Sequence, residues 1–338
     1  MKKKQLNRRQ LWRIQKMQNE YAARADQRQE KVEAEINNAE LGPEQKGLVI
    51  SHFGQQLDIE ALEGEKQGSL FRCHQRTNLE PLVTGDYVIW QEGETLGVVV
   101  ANLPRATVLK RPNNYGELRP VAANIDNIII VLAPVPEPFP NLIDRYLVAA
   151  EDIGATPILL LNKTDLIDGS NQAMLDDLLA IYQKIGYPTL KCSSKTLTGI
   201  DALQQLLKDQ TSIFVGQSGV GKSALINALL PNTNTLEGAL SAAKDKGRHT
   251  TTSARLFHFP NGGDLIDSPG IREFGLWHIE PENLIQGFVE FRPFLGHCKF
   301  RDCRHELEPE CRIIQAAENA VIDPRRLQSY RHILQSLK

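Results

Sequence analysis

One stretch limits the possible folds of this chain more than any other. The apolar strand-like run Ser212-Ile213-Phe214-Val215 enters Gly216-Gln217-Ser218-Gly219-Val220-Gly221-Lys222-Ser223, and the helix-like stretch Ala224 to Leu230 follows and stops at Pro231. The middle octapeptide fits GxxxxGK[ST], in which glycines let backbone N–H groups converge on phosphate oxygens and the next helix adds its N-terminal dipole. Such a loop belongs at the carboxyl edge of a sheet covered by helices, so an α/β domain is expected. A second segment, Asn162-Lys163-Thr164-Asp165, has the composition of a guanine-reading NKxD loop yet lies upstream, where it ordinarily lies downstream. The expected domain is therefore circularly permuted.

Each piece has a chemical reason. Lys222 should meet the β and γ phosphates, Ser223 should ligate Mg²⁺, and the backbone from Gly216 through Ala224 should wrap the phosphates. The Asp165 carboxylate can accept from both the ring N–H and the exocyclic amine of guanine, a donor pair that adenine lacks. Asn162, Lys163 and Thr164 complete that loop after the apolar run Ile158 to Leu161. Cys192-Ser193-Ser194-Lys195 ends another strand-like run and is similar to the SAK segment whose backbone N–H contacts guanine O6, with Ser194 in place of the usual Ala. Asp267-Ser268-Pro269-Gly270 fits the DxxG pattern, with Asp267 holding Mg²⁺ through water and the Gly270 N–H sensing the γ-phosphate.

Lys246-Gly247-Arg248-His249-Thr250-Thr251-Thr252 supplies a first-switch threonine, Thr251 in preference to Thr250 as the further Mg²⁺ ligand. Ile271 stands where Ras-like enzymes place the glutamine that orients water, and isoleucine has no group for that task. His249 is the candidate to replace it, against the reading of an ordinary solvent-facing loop histidine. Downstream, Cys298-x4-Cys303-x-His305-x5-Cys311 offers three thiols and an imidazole, a set suited to a closed, structural Zn²⁺ site; free or redox-active cysteines are the alternative. His297 is adjacent but poorly spaced.

The flanks read differently. Residues 1–40 carry Lys2, Lys3, Lys4, Arg8, Arg9, Arg13 and Lys16 against Glu20 in their first half and are too polar to build a core, so a basic flexible tail is expected. It is either a phosphate-binding arm or simply solvated. Residues 41–112 hold about five short strand-like runs with no helix between them: Leu48-Val49-Ile50, Leu57-Asp58-Ile59, Ser69 to Cys73, Tyr87 to Trp90 and Gly97 to Val100. They suggest an OB-fold barrel binding RNA, or a barrel acting only as a spacer. Arg72, His74, Arg76, Lys110 and Arg111, with Phe71 and Tyr115, would form its basic face.

The permuted domain is expected over 113–275 and a mainly helical zinc-binding domain over 276–338. A net charge of −2 excludes an overall basic signature, leaving local patches to attract nucleic acid. The longest apolar run, around Ile128 to Ala133, falls far short of the roughly 20 residues that span a bilayer, so no membrane partner and a cytoplasmic location are expected.

The order NKTD, SSK, GQSGVGKS, HTTT, DSPG, then CKFRDCRHELEPEC, resembles the ribosome small-subunit-dependent GTPase A family (RsgA, also called YjeQ) over nearly the whole chain. The resemblance implies an N-terminal OB-fold, a central circularly permuted P-loop GTPase of α/β class and a C-terminal zinc domain. It also implies GTP hydrolysis stimulated by the small ribosomal subunit during late maturation, and a catalytic role for His249. Its rRNA would be a partner and assembly factors are further candidates, with a monomer as the default. A nucleotide-gated RNA-binding scaffold with little turnover is the alternative that Ile271 keeps open, and a GTPase acting through a protein or membrane surface is another. The cations Lys299, Arg301, Arg304, Arg312, Arg325 and Arg326 would give the C-terminal domain its RNA-facing surface. The short connection 272–297 would carry switch movement to that domain.

Overall fold

A computed structural model describes residues 41–54, 56–113, 116–230, 254–267 and 279–337. The basic tail 1–40 lies outside them. Strands β1 (Glu44–Phe53), β2 (Gln56–Ala61), β3 (Leu70–Gln75), β4 (Tyr87–Gln91) and β5 (Gly97–Asn102) close a barrel in the order β1-β2-β3-β5-β4-β1. All neighbours are antiparallel except β3 and β5. This is the five-stranded OB-type barrel that the runs of short strands predict. Its interior is filled by Val49, Leu57, Ile59, Val88, Trp90 and Val99.

A hairpin, β6 (Val108–Pro112) and β7 (Leu118–Ala123), leads out of the barrel. The chain then lays down β8 (Asn127–Leu132), α1 (Pro140–Ile153), β9 (Thr156–Leu161), α2 (Gln172–Ile185), β10 (Thr189–Lys191), α3 (Ile200–Leu207) and β11 (Thr211–Val215). After the phosphate loop come α4 (Lys222–Leu229), β12 (Arg255–His258) and β13 (Asp264–Asp267). In space the strands run β10-β9-β8-β11-β13-β12, parallel except for β12. From β8 the chain winds outward through β9 to β10, then returns to lay β11 against the other side of β8. That reversal between neighbouring parallel strands is a topological switch point, where open α/β sheets bind ligands.

The apolar run at Ile128 to Leu132 is continuous because successive side chains enter two different cores. Ile128, Ile130 and Leu132 pack with α1 and α2 residues such as Leu147 and Tyr182. Ile129 and Val131 pack on the opposite face with Leu203, Leu225 and Leu229. The first core also includes Ile313, Ile322, Leu327 and Ile333 from α5 (Arg312–Glu318) and α6 (Pro324–Leu337), so the C-terminal helices share a core with one face of the GTPase sheet.

Two junctions hold the parts together. On the barrel side β12 is shared: Arg255 registers with Ser51 of β1 and with Asp267 of β13. At the far end of β12, His258 lies 2.7 Å from Glu60 Oε2 in the barrel and 2.6 Å from Asp264 Oδ1. On the other side Arg326 of α6 is 1% exposed and pairs with Asp144 of α1 and with Glu290 at 2.6 Å. Tyr182 of α2 donates to the same Asp144 carboxylate at 2.8 Å, and the guanidinium lies 4.4 Å from the Phe288 ring centre.

The hydrogen bond to Asp264, and the charges of Asp264 and Glu60, raise the His258 pKa from 6.5 to about 9 against the opposing effect of burial. A folded-state pKa above the unfolded value adds stability that is complete below about 6.5 and disappears as pH rises through about 9. Thermal melts of the parent and His258→Gln should therefore differ at pH 6 and converge by pH 10. A difference independent of pH would mean that the imidazolium does not brace the junction.

Candidate nucleotide site and metal centre

The loops after β8, β9, β10 and β11 meet at the carboxyl edge of the sheet. Asn162, 0% exposed, ties three of them together. Its Nδ2 donates to the Val220 carbonyl in the phosphate loop at 3.0 Å, and its Oδ1 accepts from the Ser194 N–H at 3.1 Å. Its own N–H donates to the Leu132 carbonyl at the end of β8 (2.8 Å). Lys163, in the left-handed region at φ 58°, directs Nζ to the Gly219 carbonyl at 2.6 Å and the Val135 carbonyl at 2.9 Å. The Thr164 N–H donates to the Cys192 carbonyl at 3.1 Å. The segments singled out by sequence thus interlock, although Asn162 and Val220 stand 58 residues apart in the chain.

Asp165 accepts a 2.5 Å hydrogen bond from Ser193 Oγ, and Lys195 Nζ stands 4.0 Å from its other oxygen. The Ser193 bond, with lesser backbone and lysine contributions, holds the carboxyl below its usual pKa against the opposing effect of desolvation. It is therefore ionised at neutral pH and ready to accept two N–H groups. The Ser194 N–H, expected to face guanine O6, also serves the loop itself through Asn162.

In the phosphate loop two glycines are structurally required. A Cβ at Gly216 (φ 139°) would lie 2.4 Å from the Val131 carbonyl oxygen, and one at Gly221 (φ 96°) 2.5 Å from Asn162 Nδ2. Lys222 Nζ donates to the carbonyls of Gly216 (2.6 Å) and Gln217 (2.8 Å), which stations the ammonium inside the loop. Ser223 and Ala224 are exposed in the first turn of α4, beside exposed Ser218 and Gly219 and buried Val220. Asp267 ends β13, the strand next to β11. His249, Thr251 and Gly270, with Thr250 and Ile271, lie outside the described residues.

Two contributors escaped sequence reading. The loop Ala133-Pro134-Val135-Pro136-Glu137-Pro138 presents the Val135 carbonyl to Lys163; three alternating prolines directly after a strand were the available signal. Cys192 sits beneath the base loop with Sγ 3.6 Å from Asn162 Oδ1, and nothing in the sequence marks that contact.

The second centre is Cys298, Cys303, His305 and Cys311, whose ligand atoms all lie within 4.8 Å of one another and could hold a metal ion. His305 Nδ1 is 3.6 Å from Cys298 Sγ, 3.5 Å from Cys303 Sγ and 3.2 Å from Cys311 Sγ, and Cys298 Sγ is 3.8 Å from Cys311 Sγ. Burial lowers the His305 pKa, favouring the neutral imidazole that can act as a ligand. The Glu308 carboxylate accepts from the N–H groups of Arg304, Glu306 and Leu307, and Arg331 Nε of α6 donates to the His305 carbonyl at 3.0 Å. His297 instead has Nδ1 3.0 Å from the Leu295 carbonyl oxygen.

Several expected surface cations do other work. Arg326 is buried in the Asp144–Glu290 network, and Arg325 is tied to Asp323 and Asp177. His74 is buried and Arg72 pairs with Asp58 at 2.6 Å. Arg301, Arg304 and Arg312 are exposed beside the metal cluster, as is Phe300.

A P-loop and base-reading loops gathered on a sheet whose base-reading half precedes its phosphate half define a circularly permuted GTPase, a GTP hydrolase. The sequence model described as RsgA GTPase matches residues 102–277. The small ribosomal subunit biogenesis GTPase RsgA of Pseudomonas putida strain F1 is 57% identical over 338 residues, covering 100% of this chain and 98% of that protein. The protein of the same name from Azotobacter vinelandii shows the same identity and coverage. Among solved structures, YjeQ from Thermotoga maritima superposes with a TM-score of 0.71 at 33% identity, over 87% of this chain and 99% of that one. YloQ, a circularly permuted GTPase, gives 0.69 at 29% identity, over 87% and 95%. The chain belongs to the RsgA GTPase family.

Asn162→Ala would leave the Val220 carbonyl and the Ser194 N–H without their shared partner, and an unmade buried hydrogen bond costs about 1–3 kcal/mol. Affinity for GTP and GDP should fall together, by about tenfold or more. Titration with a fluorescent guanine nucleotide measures this; wild-type affinity would show that the two loops are held by something else.

Proposed function

We propose that this GTPase binds the small ribosomal subunit, acts in its late maturation, and hydrolyses GTP faster when so bound. The observation carrying this reading is full-length identity of 57% to relatives named small ribosomal subunit biogenesis GTPase. In this reading residues 41–112 contact rRNA, 113–275 form the nucleotide switch and 276–338 form a metal-braced second contact, in a monomer working in the cytoplasm. No described helix is long and apolar enough to cross a membrane. Exposed Arg301, Arg304, Arg312 and Phe300 offer phosphate and base contacts next to the metal centre. Assembly factors would meet the protein on the subunit.

Within the site, Asp165 reads the guanine edge while Asn162, Lys163, Thr164, Ser193, Ser194 and Lys195 hold and line its pocket. Gly216 through Ala224 enclose the phosphates, with the Lys222 ammonium already poised in the loop. Ser223, Thr251 and Asp267 would hold the nucleotide's Mg²⁺, which neutralises charge on the β and γ phosphates when bound. The Gly270 N–H would register the γ-phosphate. With Ile271 unable to orient water, His249 takes that role, so His249→Ala should lower turnover with little change in GTP affinity. Equal loss of both would remove it from catalysis.

The Cys298, Cys303, His305 and Cys311 set fits one structural Zn²⁺. Tetrahedral zinc with sulfur at about 2.3 Å and nitrogen at about 2.0 Å separates its ligands by about 3.5–3.8 Å, which three of the spacings match, while His305 to Cys311 is 3.2 Å and all four ligand atoms lie within 4.8 Å of one another. Elemental analysis after dialysis should find one zinc per chain, and chelation should lower the melting temperature. Retention of the parent melt without zinc would contradict a structural role.

The function itself is tested by measuring GTP hydrolysis with and without purified small subunits, using Lys222→Ala as the nucleotide-binding control. Stimulation is expected for the parent and none for the variant. A parent rate unaffected by the subunit would refute the proposal.

A further inference from the structure

We propose that Thr84, a residue of the barrel, is a positioning residue for GTP hydrolysis. It rests on the reading that Asp267 serves the nucleotide's Mg²⁺. Thr84 is 0% exposed and lies between β3 and β4. It is firmly held: its carbonyl accepts from the Ala123 N–H at 3.0 Å, and the next residue, Gly85, donates to Val49 of β1 at 2.9 Å. Nearby, Asp86 accepts from the Val83 N–H at 2.8 Å and is paired with Arg105 at 2.6 Å. From this fixed place Thr84 Oγ1 donates to the carbonyl of Ala254 at 2.9 Å, across 170 residues of sequence.

The position of Ala254 gives the bond its consequence. The residue after it, Arg255, opens β12 and registers simultaneously with Ser51 of the barrel and Asp267 of the sheet. The hydroxyl therefore fixes the end of β12 that faces the Mg²⁺ side of the site. The His258 contacts to Glu60 and Asp264 fix the opposite end. Loss of the Thr84 bond would let the start of β12 drift relative to Asp267 without touching the base loop or the phosphate loop. The effect belongs in the chemical step and not in nucleotide binding, because small misplacements near a reacting centre cost rate far more than affinity.

The experiment compares Thr84→Val, which keeps shape and removes the hydroxyl, Thr84→Ala as a second hydroxyl-free variant, and Thr84→Ser, which keeps the donor. Steady-state GTP hydrolysis, GDP affinity and melting temperature are measured on the full chain. Both hydroxyl-free variants should lose about tenfold in kcat, the rate equivalent of one buried hydrogen bond, with KM and GDP affinity within about twofold of the parent. Thr84→Ser should recover the parent kcat to within about twofold, and His258→Gln, at the far end of β12, should keep it. The proposal is overturned if the hydroxyl-free variants retain the parent kcat, if serine fails to rescue, if GDP affinity falls in step, or if His258→Gln loses as much as Thr84→Val. Asp267→Asn separates the two layers: retained Mg²⁺-dependent hydrolysis in that variant would defeat the reading of the site, whatever Thr84 does.

Discussion

The parallel pairing of β8 with β11 is the constraint on which the rest depends. It aligns Asn127 to Ile130 with Ser212 to Val215, joining a base-reading half made early in the chain to a phosphate half made late. Backbone pairing alone would leave the two sets of loops as neighbours. The Asn162 amide makes them one site by satisfying a phosphate-loop carbonyl and a base-loop N–H from a fully buried position. In that setting an unmade hydrogen bond is expensive, so the loops have little freedom to separate.

The barrel and the C-terminal helices are attached to this sheet by different sets of contacts. The barrel is held by one shared strand, the Thr84 bond, the Asn124 amide donating to the Gly85 carbonyl, a half-exposed histidine between two carboxylates, and Leu48 and Ile50 of β1, which enter the same apolar core as the GTPase sheet. Exposed ion pairs of that kind contribute at most about 1 kcal/mol. The C-terminal helices are held by a shared apolar core and by Arg326, and breaking a buried pair by removing one partner costs about 3–5 kcal/mol. The sequence-based expectation had been transmission along the connection 272–297 to the C-terminal domain. Part of that connection lies outside the described residues, and α6 makes its own contacts with α1 and α2.

The sequence revealed the elements whose local chemistry is self-contained. The phosphate loop, the base loops, the Cys3His cluster and the fully apolar strands each announce themselves by spacing or composition. It did not reveal β12, whose residues Arg-Leu-Phe-His form a short run that gains strand character from pairing with β1 and β13. Nor did it reveal the β6–β7 hairpin, whose Lys110, Arg111 and Arg119 look like loop residues. Arg326 was misread as an RNA-facing cation for a related reason. Adjacent arginines at 325 and 326 look alike in one dimension, but helical geometry turns one toward solvent and the other onto a buried carboxylate contributed by α1.

The buried Asp144–Arg326 pair has a consequence for biosynthesis. Asp144 sits in α1, and its guanidinium partner follows 182 residues later, within α6. Before α6 emerges, the nascent chain could close that core only by burying a carboxylate that has the Tyr182 hydroxyl but no balancing charge, at a cost of several kcal/mol. The half of the enzyme that reads the base is thus translated before the phosphate half, yet its packing is completed only when α6 emerges. Charge pairing of the Asp144 carboxylate is thereby tied in time to the emergence of α6.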